Sequence, residues 1–126
     1  MKVLIIDDDA DIRSIVRLSL SRLGGMEVVE AASGAEGVRT AQDEKPDVIL
    51  LDMMMPAMDG SATLAALRSQ PATATTPVIF LTAKVMRAEI ERLRSLGVAG
   101  VLTKPFDPRT LPADVRALVE APLNPS

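Results

Sequence analysis

The chain has 126 residues, 48% of them apolar and 25% charged, with a formal net charge of −3. That composition fits one soluble globular domain with a single core, and the lack of any basic block gives no reason to expect nucleic acid or an anionic membrane as a partner. Cys and His are both absent, which excludes disulfides, thiolate nucleophiles, His-based triads and His-ligated zinc and leaves carboxylates to dominate the available chemistry.

Five short aliphatic runs set the order of elements. The first, Val3 to Ile6, runs straight into Asp7, Asp8 and Asp9, with Asp11 close behind. Ile12, Ile15, Val16 and Leu23 then fall at helical spacing, and Gly24-Gly25 stops that helix. Val28-Val29 is a weaker second run; Ser33 is placed as the N-cap of a helix through Ala35, Val38 and Ala41 that ends before Pro46. The third run, Val48 to Leu51, ends in Asp52, and Leu64 and Leu67 mark a helix between Ser61 and Ser69. Val78 to Leu81 ends in Thr82; Ile90 and Leu93 share the apolar side of a helix from Arg87 to Leu96, stopped by Gly97. Gly100 to Thr103 leads into Lys104-Pro105, and a last helix runs from about Leu111 to Glu120, with Pro112 tolerated in its first turn.

Continuous rather than alternating hydrophobicity marks strands covered on both faces. Five such strands alternating with five helices predict a doubly wound α/β fold around a parallel sheet. Ligands in that architecture bind beyond the carboxyl ends of the strands. There the sequence places Asp7 and Asp8, Asp52, Thr82 and Lys104, which would meet at one rim. No apolar run approaches the roughly 20 residues that span a bilayer, and a cytoplasmic location is the default expectation.

The crowding of acids needs a reason, because two like charges 4 Å apart repel by about 4 kcal/mol at an effective dielectric of 20. Helix capping accounts for Asp9 or Asp11, but not for Asp7 and Asp8, since Asp52 independently ends another buried run. A calcium loop fails: Ile12 stands where Gly is required and Leu18 where Glu is required. An aspartate-dependent phosphohydrolase would find paired acids in Asp7 and Asp9, but no small-residue turn follows them and the chain has no room for a cap segment. The nucleotide-binding glycine motifs are missing.

Together, "IIDDD", "VILLDMMMPAMDG", "VIFLTA" and "GVLTKPF" resemble the receiver domain of bacterial two-component response regulators, over about Lys2 to Glu120. The resemblance implies a CheY-like, flavodoxin-like fold with strand order 2-1-3-4-5, a receiver domain over residues 1–120 and a flexible tail over 121–126. It implies that Asp52 takes a phosphoryl group from a phosphohistidine on a sensor histidine kinase or a histidine phosphotransfer protein. Asp7, Asp8, Asp52 and the backbone carbonyl of Met54 would hold one Mg²⁺, whose charge offsets the repulsion; without metal, one of the acids should show a raised pKa. Lys104 would offer its charge to the phosphoryl oxygens, Thr82 would hydrogen-bond one of them, and Lys104-Pro105 matches the family's cis bond. Pro56 and Gly60 match the loop after the acceptor.

Some positions depart from the family pattern. Val101 stands where an aromatic rotamer switch is usual, so activation is expected to rely on Thr82 and on backbone adjustment around Val85 to Ala88 and the fifth strand. Met54 and Lys84 flank the phosphoryl position; an apolar Met54 is expected to hinder water and lengthen the life of the acyl phosphate, while Lys84 would pair with phosphate. Met53-Met54-Met55 is read as loop packing. The expected output surface is the fourth helix, fifth strand and fifth helix, facing a downstream protein or domain; the expectation is a phosphoacceptor that assists its own phosphorylation and dephosphorylation rather than a turnover enzyme, and a monomer or weak homodimer. The alternatives are a receiver-like interaction module that is never phosphorylated, and a phosphohydrolase.

Overall fold

The computed structural model describes residues 1–83 and 86–120; the expectations for Lys84, for Val85 and for the tail over 121–126 lie outside them. Five parallel strands, β1 (Lys2–Ile6), β2 (Glu27–Ala31), β3 (Val48–Asp52), β4 (Val78–Thr82) and β5 (Gly100–Thr103), form one sheet in the order 2-1-3-4-5. The helices are α1 (Ala10–Leu18), α2 (Gly34–Glu44), α3 (Gly60–Arg68), α4 (Arg87–Arg94) and α5 (Leu111–Glu120). This is the predicted doubly wound α/β architecture.

Side chains of the central strands alternate between two cores, as strand geometry requires. Leu4, Ile6, Ile49, Leu51, Val78 and Phe80 pack on the side carrying Leu64 and Leu67 of α3 and Leu93 of α4. Val3, Ile5, Val48, Leu50, Ile79 and Leu81 pack on the other, against Val16 of α1 and Leu111 and Val115 of α5. Each fully buried aliphatic side chain contributes about 1.5–3 kcal/mol, and both faces are covered, which explains the unbroken apolar runs.

One prediction fails along α1. Ile15 and Leu23 are exposed, whereas Ser19 and Leu20 are buried. Ile15 lies within α1, which turns Val16 rather than Ile15 to the core; from Ser19 onward the cause is a π-helical turn over Ser19–Leu23 that continues α1. Its wider turn shifts the helical phase, so the apolar spacing counted at 3.6 residues per turn points the wrong way beyond Leu18. The buried Ser19 hydroxyl donates to the carbonyl of Pro108 and so ties α1 to the segment after β5.

Helix boundaries follow their caps. Asp9, not Asp11, caps α1, accepting from the N–H groups of Asp11 and Ile12. Ser33 caps α2 by accepting from the N–H of Glu36, whose carboxylate in turn accepts from the N–H of Ala32. Asp59 caps α3, accepting from the N–H of Ala62, and the helix starts at Gly60, one residue before the expected Ser61. The stops at Gly25 (φ 65°) and Gly97 (φ 77°) use the left-handed backbone that glycine permits.

Candidate functional site

The carboxyl rim of the sheet is built by register. Ile6 of β1 pairs with Leu51 of β3, so one further step brings Asp7 beside Asp52. Both occupy strand positions of the same parity, on the α1–α5 side. Asp52 in turn pairs with Leu81, and Thr82 with Thr103, which places the start of the Lys104 segment next to the ends of β3 and β4. The N–H of Lys104 donates to the carbonyl of Thr82 at 2.8 Å, and the Lys104–Pro105 bond is cis.

Oxygen atoms of Asp7, Asp8 and Asp52 all lie within 4.8 Å of one another. Asp7 and Asp52 are buried and Asp8 is exposed, so the cluster has two carboxylates in the wall and one at the mouth. Lys104 Nζ bridges the buried pair, donating to Asp7 Oδ2 at 3.0 Å and to Asp52 Oδ1 at 3.2 Å. Among the described residues a single ammonium faces three carboxylates, which leaves this set short of positive charge. The chemistry of the donors is all-oxygen, which suits a hard divalent cation.

Burial first, and then the neighbouring charge of Asp7, push the Asp52 carboxyl above the usual carboxylate range, despite Lys104 and a 3.3 Å hydrogen bond from the N–H of Met54. The raised acid expected for a metal-free cluster is therefore Asp52. Burial works against the charge of Lys104, but its contacts with Asp7 and Asp52 outweigh that and hold its pKa above the ordinary value.

The loop after Asp52 is held close. The N–H of Gly60 donates to the carbonyl of Met53 at 3.0 Å, and a Cβ at Gly60 would sit 2.8 Å from both the Asp52 carbonyl oxygen and Met53 Cα. Only glycine allows this approach. Met53 and Met55 are buried, in keeping with loop packing, whereas Met54 is 61% exposed beside the acids. Pro56 lies exposed in the same loop. Val101 is half-buried and packs against the core on the α3–α4 side.

Sequence reasoning missed a brace behind the rim. Arg13 Nη1 donates to the carbonyl of Asp7 at 2.8 Å, and Arg13 and Arg17 both pair with Glu30 of β2. Arg17 first, and Arg13 with it, hold the Glu30 carboxyl below its ordinary value. The four-residue spacing of the arginines signals a shared helix face, but their partner lies on another element and no local pattern reveals it. Also missed was an apolar surface on α1, where Ile15, Leu18 and Leu23 are exposed next to Pro108.

The sequence matches the family described as response regulator receiver domain over residues 3–116. The alkaline phosphatase synthesis transcriptional regulatory protein PhoP of Bacillus subtilis is 36% identical over 118 residues, covering 94% of this chain and 48% of that protein. The probable chemotaxis protein CheY of Rhizobium etli is 34% identical over 121 residues, covering 96% of this chain and 94% of that protein. The chain thus spans about half the length of PhoP and of similar ycf27 regulators, and nearly all of that CheY. The solved structure of the chemotaxis protein CheY4 of Vibrio cholerae matches with a TM-score of 0.85 at 36% identity, covering 93% of this chain and 97% of that one. On these grounds, and with its fold and acidic rim in agreement, the chain belongs to the response regulator receiver domain family.

Proposed function

We propose that this receiver takes a phosphoryl group on Asp52 from a phosphohistidine of a sensor histidine kinase or histidine phosphotransfer protein, in a reaction that requires Mg²⁺. The supporting observation is the buried Asp52 carboxylate, gathered with Asp7, Asp8 and Lys104 at the ligand-binding end of an α/β sheet. A carboxylate oxygen of Asp52 attacks phosphorus; the P–N bond to the donor imidazole breaks, and its electron pair leaves on the ring nitrogen. Lys104 lies on Asp52 and offers its charge to the transferring oxygens. Thr82, at the end of β4, supplies a hydroxyl to the phosphorylated form. Positioning and charge compensation of this kind account for most of phosphoryl-transfer catalysis.

Asp7, Asp8 and Asp52, with the backbone carbonyl of Met54, would hold the metal. Mg²⁺ fits this set because it prefers a few carboxylates together with water and phosphate oxygens, and the exposed Asp8 leaves the mouth open to both. When bound, it supplies the positive charge that the rim lacks.

A donor protein must dock beside the rim, and the exposed Ile15, Leu18 and Leu23 offer it an apolar footing. The phosphorylated form presents the α4–β5–α5 face to a downstream protein or domain. With Val101 in place of an aromatic residue, the switch relies on Thr82 and the adjoining backbone. Met54 at the mouth restrains attack by water, so Met54→Asn should shorten the life of the acyl phosphate.

Intact mass after incubation with acetyl phosphate and Mg²⁺ tests the reading. One labile phosphate adduct is expected, lost with chelator and lost in Asp52→Ala. No adduct would favour a phosphorylation-independent interaction module, and sustained phosphate release with turnover would favour a phosphohydrolase.

A further inference from the structure

At the edge of the sheet opposite the acids, a cleft of about 310 Å³ opens between the end of α3, the approach to β4, the α4–β5 connection and the end of α5. Its walls include Pro77, Val98, Ala99, Leu118 and Val119, with Arg68 as the one charged group among its lining residues. The volume lies at the small end of the range for ligand pockets, about 300–1,000 Å³.

Arg68 is held in an unusual way for a half-buried cation. Its Nη1 donates to the carbonyls of Thr73 at 3.2 Å and Thr76 at 2.7 Å, strapping the connection after α3. Among the described residues no carboxylate pairs with it, and its other guanidinium nitrogens have no protein partner. Burial draws its pKa below the ordinary value. Lys104, the half-buried cation at the other end of the sheet, has two carboxylates. Desolvated charge without a counter-ion is costly, and proteins normally compensate it. The two carbonyls fix the guanidinium in place but supply no negative charge, and they leave a fork of donors beside an apolar wall. Such a fork matches the geometry of a carboxylate.

We propose that this cleft binds a small organic monocarboxylate, its carboxylate on the unused donors of Arg68 and its compact apolar body against Val98, Ala99 and Leu118. Charge and shape then divide the work: the guanidinium selects the acid over the neutral molecule, and the apolar wall selects a body larger than that of acetate. The site is separate from the acidic rim and stands whether or not Asp52 is phosphorylated.

Amide chemical shifts of the full chain, titrated with benzoate, benzamide and acetate, test this. Saturable shifts at Ala74, Ala99 and Val119 are expected with benzoate, at least about tenfold weaker binding with benzamide, and little response to acetate. Arg68→Gln should abolish the preference for benzoate over benzamide, and Arg68→Lys should retain part of it. Ala74→Leu, which fills the cleft without touching a charge, should abolish binding while leaving the spectrum folded. Equal binding of benzamide, unchanged benzoate binding in Arg68→Gln or in Ala74→Leu, or no saturable shift by about 10 mM would each overturn the proposal.

Discussion

β1 carries a lysine-centred cluster at each end, and the two behave differently. At its start, Lys2 Nζ meets Glu44 at 3.1 Å and Glu27 at 3.7 Å, while its backbone N–H donates to Asp47 at 2.6 Å. Beyond its end, Lys104 meets Asp7 and Asp52, with Asp8 alongside. Each cluster sets three acids around one lysine, so the count of charges does not separate them. Burial does. The side chain of Glu27 is 66% exposed and that of Asp7 0%. Water screens the first set, whose pairs are worth little, whereas the second is forced to find its compensation in the protein, a proton or a metal. Burial of an unbalanced charge set, rather than the set itself, is what makes a site.

The largest expected effect breaks the two lysines apart. In chelator, Lys104→Ala should lower stability to urea by about 2 kcal/mol, a value discounted for solvent screening from the ~3–5 typical of a buried pair that loses one partner. Mg²⁺ should restore part of the loss by binding only the folded state. Lys2→Ala should shift the urea midpoint little and show no response to Mg²⁺. Equal losses in the two variants would dissolve the distinction.

Next in size is the effect of removing an acid. Burial and Asp7 raise the folded-state pKa of Asp52. The associated stability is therefore present below the unfolded carboxylate range and is lost as pH rises through the raised folded value. In chelator at pH 7.5, Asp52→Asn should melt a few degrees above the parent. That gap should close as pH falls through the carboxylate range, and Mg²⁺ should stabilise the parent more than the variant. A variant that melts lower than the parent at pH 7.5 would show that Lys104 already balances the rim.

Much of this contrast was legible in the sequence. Aliphatic runs ending in Asp7, Asp52, Thr82 and Lys104 place chemistry on strand ends, because a strand buried on both faces must be apolar until it emerges. The family motifs then supplied the strand order that periodicity cannot. What stayed hidden depended on geometry without a local signature. The π turn at Ser19–Leu23 moved Leu23 to the surface and Ser19 into the interior. Glu30 became a brace only because β2 lies beside α1, and Arg68 stands without a carboxylate partner among the described residues only because no acid of theirs reaches it. The strand at Val28-Val29 read as weak because this edge strand carries Glu27, which is exposed, and Glu30, which is half-buried against Arg13 and Arg17.

The smallest effects come from backbone strain, which the two ends also share. Lys45 (φ 48°) closes α2 just before Asp47, and Ala57 (φ 66°) lies in the loop after Asp52; both are non-glycine residues in the left-handed region. That conformation costs a residue with a Cβ about 1 kcal/mol. Lys45→Gly should therefore be neutral or stabilising by up to about 0.5–1 kcal/mol, the relief being offset by the freer unfolded chain. It should leave phosphorylation by acetyl phosphate unchanged. Ala57 is different because the N–H of Met58 donates to the carbonyl of Pro56 at 2.7 Å across it, a tight three-residue turn of the strained kind. That turn, with Gly60 pressed on the backbone of Asp52 and Met53, holds the loop from which the N–H of Met54 donates to Asp52. Ala57→Gly should cost no stability yet slow phosphorylation about twofold or more, because strain there keeps the rim preorganised. If the two glycine variants phosphorylate at the same rate, strain near Asp52 is incidental, and the rim differs from the other end of β1 in burial alone.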